Sequence, residues 1–107
     1  MDEHLKNWKL KLRYGKIVTP FTHFTILAEG IGDEVHESFE CSKGNVFMSM
    51  KTWAESADQA AEVIQSVAVQ IGFVITGNIQ VFTTDPEDPP RKEPYGYDIM
   101  FSDPFKK

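Results

Sequence analysis

The chain has 107 residues, 41% of them hydrophobic, and its 16 carboxylates against 11 lysines and arginines leave a formal net charge of −5. This is the length and composition of one folded domain, which excludes a disordered chain and a two-domain one, while the acidity argues against non-specific nucleic-acid binding. Cys41 is the lone cysteine, so neither an intramolecular disulfide nor a multi-cysteine zinc site can form, and no stretch approaches the roughly 20 apolar residues of a membrane span. With no signal-peptide pattern in MDEHLKNWKLKLRY, a cytoplasmic address is expected.

In chain order, Trp8, Leu10, Leu12 and Tyr14 alternate with Lys9, Lys11 and Arg13, the period-2 pattern of a first strand. A turn through Gly15 to Pro20 leads to Phe21 to Glu29, rich in β-branched and aromatic residues, which predicts a second strand broken by Gly30-Ile31-Gly32-Asp33. Val35, Phe39 and Cys41 share one face of a predicted third strand, and Ser42-Lys43-Gly44-Asn45 forms a hairpin turn into a fourth, Val46 to Trp53.

Ser56 to Gly72 is the one segment with sustained helical period. Ser56 and Gln59 have the spacing of a capping box, Gly72 is the stop, and Ala57, Ala60, Ala61, Ile64, Val67, Ala68 and Ile71 fall on one side. Phe73 is placed to pack back on the helix end, and Ile75 to Thr84 resumes strand character with a bulge expected at Gly77. Asp85 to Pro94 holds four prolines and six charged residues in ten positions, which excludes helix and central strand, and Tyr97 to Ser102 reads as a short last strand. The expectation is a single α+β domain over 1–107: a two-layer sandwich of about six mainly antiparallel strands in ββββαββ order, one helix on one face, a Pro-rich acidic loop at 85–96 and a tail at 103–107.

With four-residue turns, Glu29 pairs with Glu34 and Cys41 with Val46. The core face then carries Leu10, Leu12, Phe24, Ile26, Ala28, Val35, Phe39, Val46, Met48 and Met50, with Glu37 as an inconsistency among them. The opposite face brings Arg13, His23, Glu40 and Phe47 into one row, Lys11, Thr25, Ser38 and Ser49 into a second, and Lys9, Leu27, His36 and Lys51 into a third. Lys11, Arg13, His23, Thr25, Ser38, Glu40 and Ser49 are therefore the candidate ligand-binding residues: an imidazole beside a carboxylate and a guanidinium can exchange protons or orient a polar ligand. The competing reading is an ordinary solvated sheet face with mixed polar pairs.

No sharper chemistry emerges, and no catalytic residue, metal ligand or cofactor is assigned. His23, His36, Glu40 and His4 match no ligand spacing, and the acids after Gly32 fail the calcium-loop pattern. Ser38 and Ser49 lack a nucleophile turn, and Gly30-Ile31-Gly32 precedes a strand where phosphate cradling needs a helix. Lys9, Lys11 and Arg13 resemble an RNA track, but the parity of Trp8 and Tyr14 leaves Phe47 as the main stacking ring. Residues 1 to 24 are net basic while Glu29, Asp33, Glu34, Glu37 and Glu40 follow without a basic partner, so opposite charges are expected to meet.

The loop is long for a compact domain, which suggests a stiff connector or a binding arm of Pro89, Pro90, Tyr95 and Tyr97. The favoured reading is a cytoplasmic, non-enzymatic interaction domain, self-associating as a homodimer through open sheet edges and the apolar Val63 and Val69, with no nucleic-acid or membrane partner. An acidic inhibitor or immunity-type protein is a variant of it. The alternative class is a small-ligand protein or enzyme using the polar face around His23 and Glu40.

Overall fold

The computed structural model describes residues 8–15 and 18–102, so His4 and the tail at 103–107 lie outside the described residues. The elements run α1 (Trp8–Arg13), β1 (Thr22–Ile31), a 3-10 turn (Glu37–Phe39), β2 (Asn45–Ala54), α2 (Ala57–Ile71), β3 (Val74–Thr83) and β4 (Tyr95–Ser102). The four strands form one antiparallel sheet in the order β3-β1-β2-β4, and α2 packs on one face of it. The fold is thus α+β with one main helix, but with four strands among the described residues instead of the six expected.

The helix forms where period and caps place it. Ser56 Oγ accepts the Gln59 amide at 3.1 Å, and the Gln59 side chain takes the Glu55 amide at 2.7 Å, one residue before the position a reciprocal box would use. Gly72, at φ 91°, ends it, with the Gly72 and Phe73 amides both donating to the Ala68 carbonyl. Ala60, Ile64 and Ala68 are buried against Phe24, Ile26, Ala28, Val46, Met48 and Met50, the strand residues expected to form the core. Phe73 and Phe101 close one end of this layer, ring centroids 5.6 Å apart. Gly30 is needed there because a Cβ would run into the Val74 carbonyl and the Phe73 ring.

Two expected strands do not exist. Trp8–Arg13 is a short helix with no fully buried residue, so Leu10 and Leu12 are not core; Leu10 is 49% exposed. Leu, Lys and Arg are good helix formers, and alternation has force only where a neighbouring strand accepts the pairing. Val35–Cys41 is also no strand. β1 runs on to Ile31 and pairs directly with β2, so Glu29 faces Phe47 and Ile31 faces Asn45, and the intervening chain makes an excursion. Its neck is closed by the Gly32 amide on the Gly44 carbonyl at 2.9 Å and the Gly44 amide on Asp33 Oδ1 at 2.6 Å. The excursion docks on the end of α2 through the His36 amide and the Ile71 carbonyl, leaving Val35 and Cys41 partly buried and Glu37 exposed. The misplaced Glu37 thus marked a segment that is not a strand.

Both edge strands carry irregularities. The β1–β3 register shifts between Ala28 and Gly30, on the stretch of β3 that contains Gly77, where a Cβ would strike the Glu29 side chain. The β2–β4 register shifts between Ser49 and Lys51, opposite Asp98, which sits at φ 57°.

Candidate functional site

Because side chains alternate along a strand, the residues between the core positions must point to the face that α2 does not cover. The observed registers assemble four rows there: Thr84, His23, Trp53 and Tyr95; Phe82, Thr25, Lys51 and Tyr97; Gln80, Leu27, Ser49 and Met100; and Glu29, Phe47 and Ser102. This face divides into a closed end and an open remainder.

At the closed end, the Pro-rich loop folds back onto the sheet. The Trp53 indole donates to the Asp88 carbonyl at 2.8 Å and the Tyr95 hydroxyl to the Pro89 carbonyl at 2.6 Å, while the Arg91 guanidinium stacks 4.0 Å over the Tyr95 ring. Tyr97 Oη accepts the amides of Glu87 (2.9 Å) and Asp88 (3.1 Å) and lies 2.7 Å from His23 Nε2. His23 Nδ1 faces the carbonyl and hydroxyl of Thr84 at 3.2 and 3.1 Å, and the Thr84 hydroxyl continues to Thr25 at 2.8 Å. The imidazole is 3% exposed and meets Trp53 edge-on at 5.1 Å.

Proton accounting fixes the tautomer. Both lone pairs of Tyr97 Oη are taken by backbone amides, so its proton goes to Nε2, and Nδ1 must carry the ring proton that Thr84 accepts. His23 is therefore neutral in this arrangement, and burial holds its pKa below the ordinary 6.5, opposed by the Thr84 carbonyl bond. Burial likewise raises the Tyr95 hydroxyl, a second reason that group stays protonated as a donor.

The expected site residues are thus only partly brought together. His23 and Thr25 join through Thr84, and Ser49 lies on the same face, but the rest are elsewhere. Lys11 and Arg13 ride on α1, where Arg13, Lys9 and Leu12 line a shallow cavity of about 370 Å3 with Asp85 and Pro86. The basic track expected on the sheet is therefore absent from it. Ser38 hydrogen-bonds His36 Nδ1 in the β1–β2 excursion, and Glu40 ends that 3-10 turn at φ 51°. Pro89, Tyr95 and Tyr97 are engaged within the chain, and Pro90 faces a shallow cleft with Arg91 and Pro20.

The sequence reading missed Trp53, Thr84 and Lys51 as neighbours of His23, because their adjacency depends on the register of a sheet whose loops it mis-sized. The ion pair of Lys51 with Asp98, at 2.6 Å, raises the lysine's pKa, chiefly through that hydrogen bond. Cys41 donates to the Ser42 carbonyl at 3.3 Å and burial pushes its thiol pKa up, which suits a packed residue better than a nucleophile. Among the described residues, no group of three His, Cys, Asp or Glu side chains converges as a metal site, and no helix is long and apolar enough to cross a membrane.

The open remainder has a different chemistry. Leu27 and Phe47 are half-buried, Phe82 is 51% and Met100 59% exposed, and a depression of about 240 Å3 lies between Leu27, Glu29, Phe47, Asn78 and Gln80. No family model, curated protein or solved structure matches the chain.

Proposed function

We propose that this chain is a non-enzymatic binding domain that associates with a second copy of itself through the open sheet face. The observation that carries the reading is the gathering of Leu27, Phe47, Phe82 and Met100, from three neighbouring rows, on one face of a sheet whose covering helix α2 lies on the other side. Exposed apolar groups gathered on one face favour a partner layer, as in any sandwich of two sheets.

Three features point to a second copy. Four strands about 4.8 Å apart and roughly 30 Å long give a face of about 600 Å2 in projection, and the part left open by the Pro-rich loop, about half of it, is of the size of a small, transient interface. Charge is also distributed along the strands. Glu29, Asp33, Glu34, Glu37 and Glu40 gather at the excursion end with Lys43 alone against them, whereas the other end has Lys9, Lys11, Arg13, Arg91 and Lys92 among its acids. A two-fold axis lying between the faces and perpendicular to the strands sets the acidic end of each copy over the mixed-charge end of the other, which keeps the two acidic ends apart. Finally, the bulges in β3 and β4 discourage edge-to-edge extension, which favours the face over the open edges.

Val63 turns partly inward to the core and only Val69, 81% exposed, remains on the helix exterior, so α2 supplies little of this surface. The small-ligand reading around His23 draws less support, since the polar groups there are satisfied by one another. A reducing, cytoplasmic setting accords with a lone thiol.

The test is a concentration series of amide spectra on labelled protein. Resonances of Leu27, Ser49, Gln80 and Met100 should shift together from micromolar to millimolar protein, while Glu62, Gln65 and Ser66 on the outside of α2 stay fixed. Spectra that do not change, or changes confined to α2, would overturn the reading.

A further inference from the structure

We propose that His23 and Tyr97 form a proton-operated latch that holds the Pro-rich loop over the aromatic end of the sheet, and that protonation of His23 releases it. The inference goes beyond the self-association reading and does not depend on what docks on the open face.

Hydrogen-bond capacity couples the two side chains to the loop. Tyr97 Oη has one proton and two lone pairs; the lone pairs hold the Glu87 and Asp88 amides and the proton is given to His23 Nε2. A proton arriving from solvent at Nε2 converts the only acceptor of the Tyr97 hydroxyl into a donor. Tyr97 then faces three donors with two lone pairs, and its own proton has no acceptor in the cluster. Nδ1 offers no escape, because it is already the donor to Thr84. The conflict is relieved at least cost at the loop amides, one of which must leave to free a lone pair and the other as the hydroxyl turns its proton to water; both are exposed and can bond water, whereas the strands that carry His23 and Tyr97 are held by their ladders. The loop is then held only by the Trp53–Asp88 and Tyr95–Pro89 bonds and the Arg91–Tyr95 stack, so it opens more readily and uncovers the aromatic rings next to the apolar remainder of the face.

Charged groups around the imidazole come from several elements. β2 supplies Lys51, which disfavours the imidazolium and is itself paired with Asp98 of β4. The loop supplies Asp85 and Glu87, which favour it, with Asp88 beside them; Asp85 in turn shares a cavity with Lys9 and Arg13 of α1. β4 adds the Tyr97 and Tyr95 hydroxyls.

The sign follows from linkage. A closed latch depresses the imidazole pKa below its open-loop value, so the closed state is fully favoured above about 6.5 and loses ground as pH falls from there toward the depressed value, by about tenfold in the opening equilibrium per pH unit. The test is amide hydrogen exchange, normalised to intrinsic rates, together with imidazole nitrogen shifts on the intact protein. Above neutrality, His23 should show the Nδ1–H tautomer and the Glu87 and Asp88 amides should be protected. Below pH 6.5 their protection should fall by about tenfold per unit as His23 protonates, while Ile26, Met50 and Ile64 stay protected. Two variants separate the latch from general acid loosening: His23→Gln, whose amide oxygen can accept the hydroxyl but does not titrate, should keep the loop amides protected across the range, and Tyr97→Phe should leave them unprotected at every pH. Loop protection unchanged through the His23 titration, or a pH dependence that survives in His23→Gln, would overturn the proposal.

Discussion

The helix side and the open side of the sheet are made by the same four strands, with successive residues assigned to one or the other. On the helix side Ile26, Ala28, Met48 and Met50 have no accessible surface, and the layer is closed by α2, Phe73 and Phe101. On the open side polar and apolar residues are mixed across the rows, with Thr25 beside Lys51 and Leu27 beside Ser49, and one end is closed by a loop through hydrogen bonds and the stacking of Arg91 on Tyr95. The difference shows how a small domain divides its labour: one face carries the stability, and the other is free to carry polar latches and contact surface. Substitutions should therefore separate stability from association according to the face they touch.

The largest effect is expected on the helix side. Ile64→Ala removes the best-buried side chain of α2 and should cost about 3 kcal/mol of unfolding free energy, within the range of about 2–5 for such truncations, read by denaturant titration. Gly72→Ala forces an L side chain into a left-handed conformation and onto the Glu34 carbonyl, so a loss of at least about 1–2 kcal/mol is expected in the same assay. Thr52→Val should act in the opposite direction. The Thr52 hydroxyl is fully buried on the core face without a hydrogen-bond partner among the described residues, and replacing it by a methyl should stabilise by about 1 kcal/mol, seen as a higher melting temperature. On the open side, Asp98→Asn keeps a residue that tolerates the left-handed bulge while removing the exposed ion pair with Lys51, and the change should stay under about 1 kcal/mol. A large loss there, or a small one at Ile64, would break the division between the faces.

What could be read from the residues follows the same physical line between local and distant. α2 was legible because its period, its Ser56 cap and its Gly72 stop act within a few residues of one another, and the bulge at Gly77 was signalled by a glycine inside a strand pattern. The alternation of Trp8, Leu10, Leu12 and Tyr14 misled because a strand is stabilised by a neighbour that the segment itself does not specify, whereas a short helix of Leu, Lys and Arg needs none. The face to which His23, Thr25, Leu27, Ser49 and Lys51 belong was read correctly from parity. Their rows were not, because taking Val35–Cys41 as a strand misplaced the pairing that sets Glu29 against Phe47. The contacts of His23 lie 61 residues away at Thr84 and 74 away at Tyr97, and only the sheet order brings them together.

The measurement that bears most directly on the open face as a binding surface is sedimentation equilibrium of the wild-type chain beside Phe82→Glu and Met100→Lys. Both positions are exposed on β3 and β4, so both variants should fold, with a melting temperature that matches the wild-type chain at dilutions where it is monomeric. The account predicts a wild-type species of twice the 12.2 kDa chain mass that reverts to the single-chain mass in either variant. A wild-type chain that remains at 12.2 kDa up to millimolar concentration, or a dimer indifferent to both charges, would contradict it.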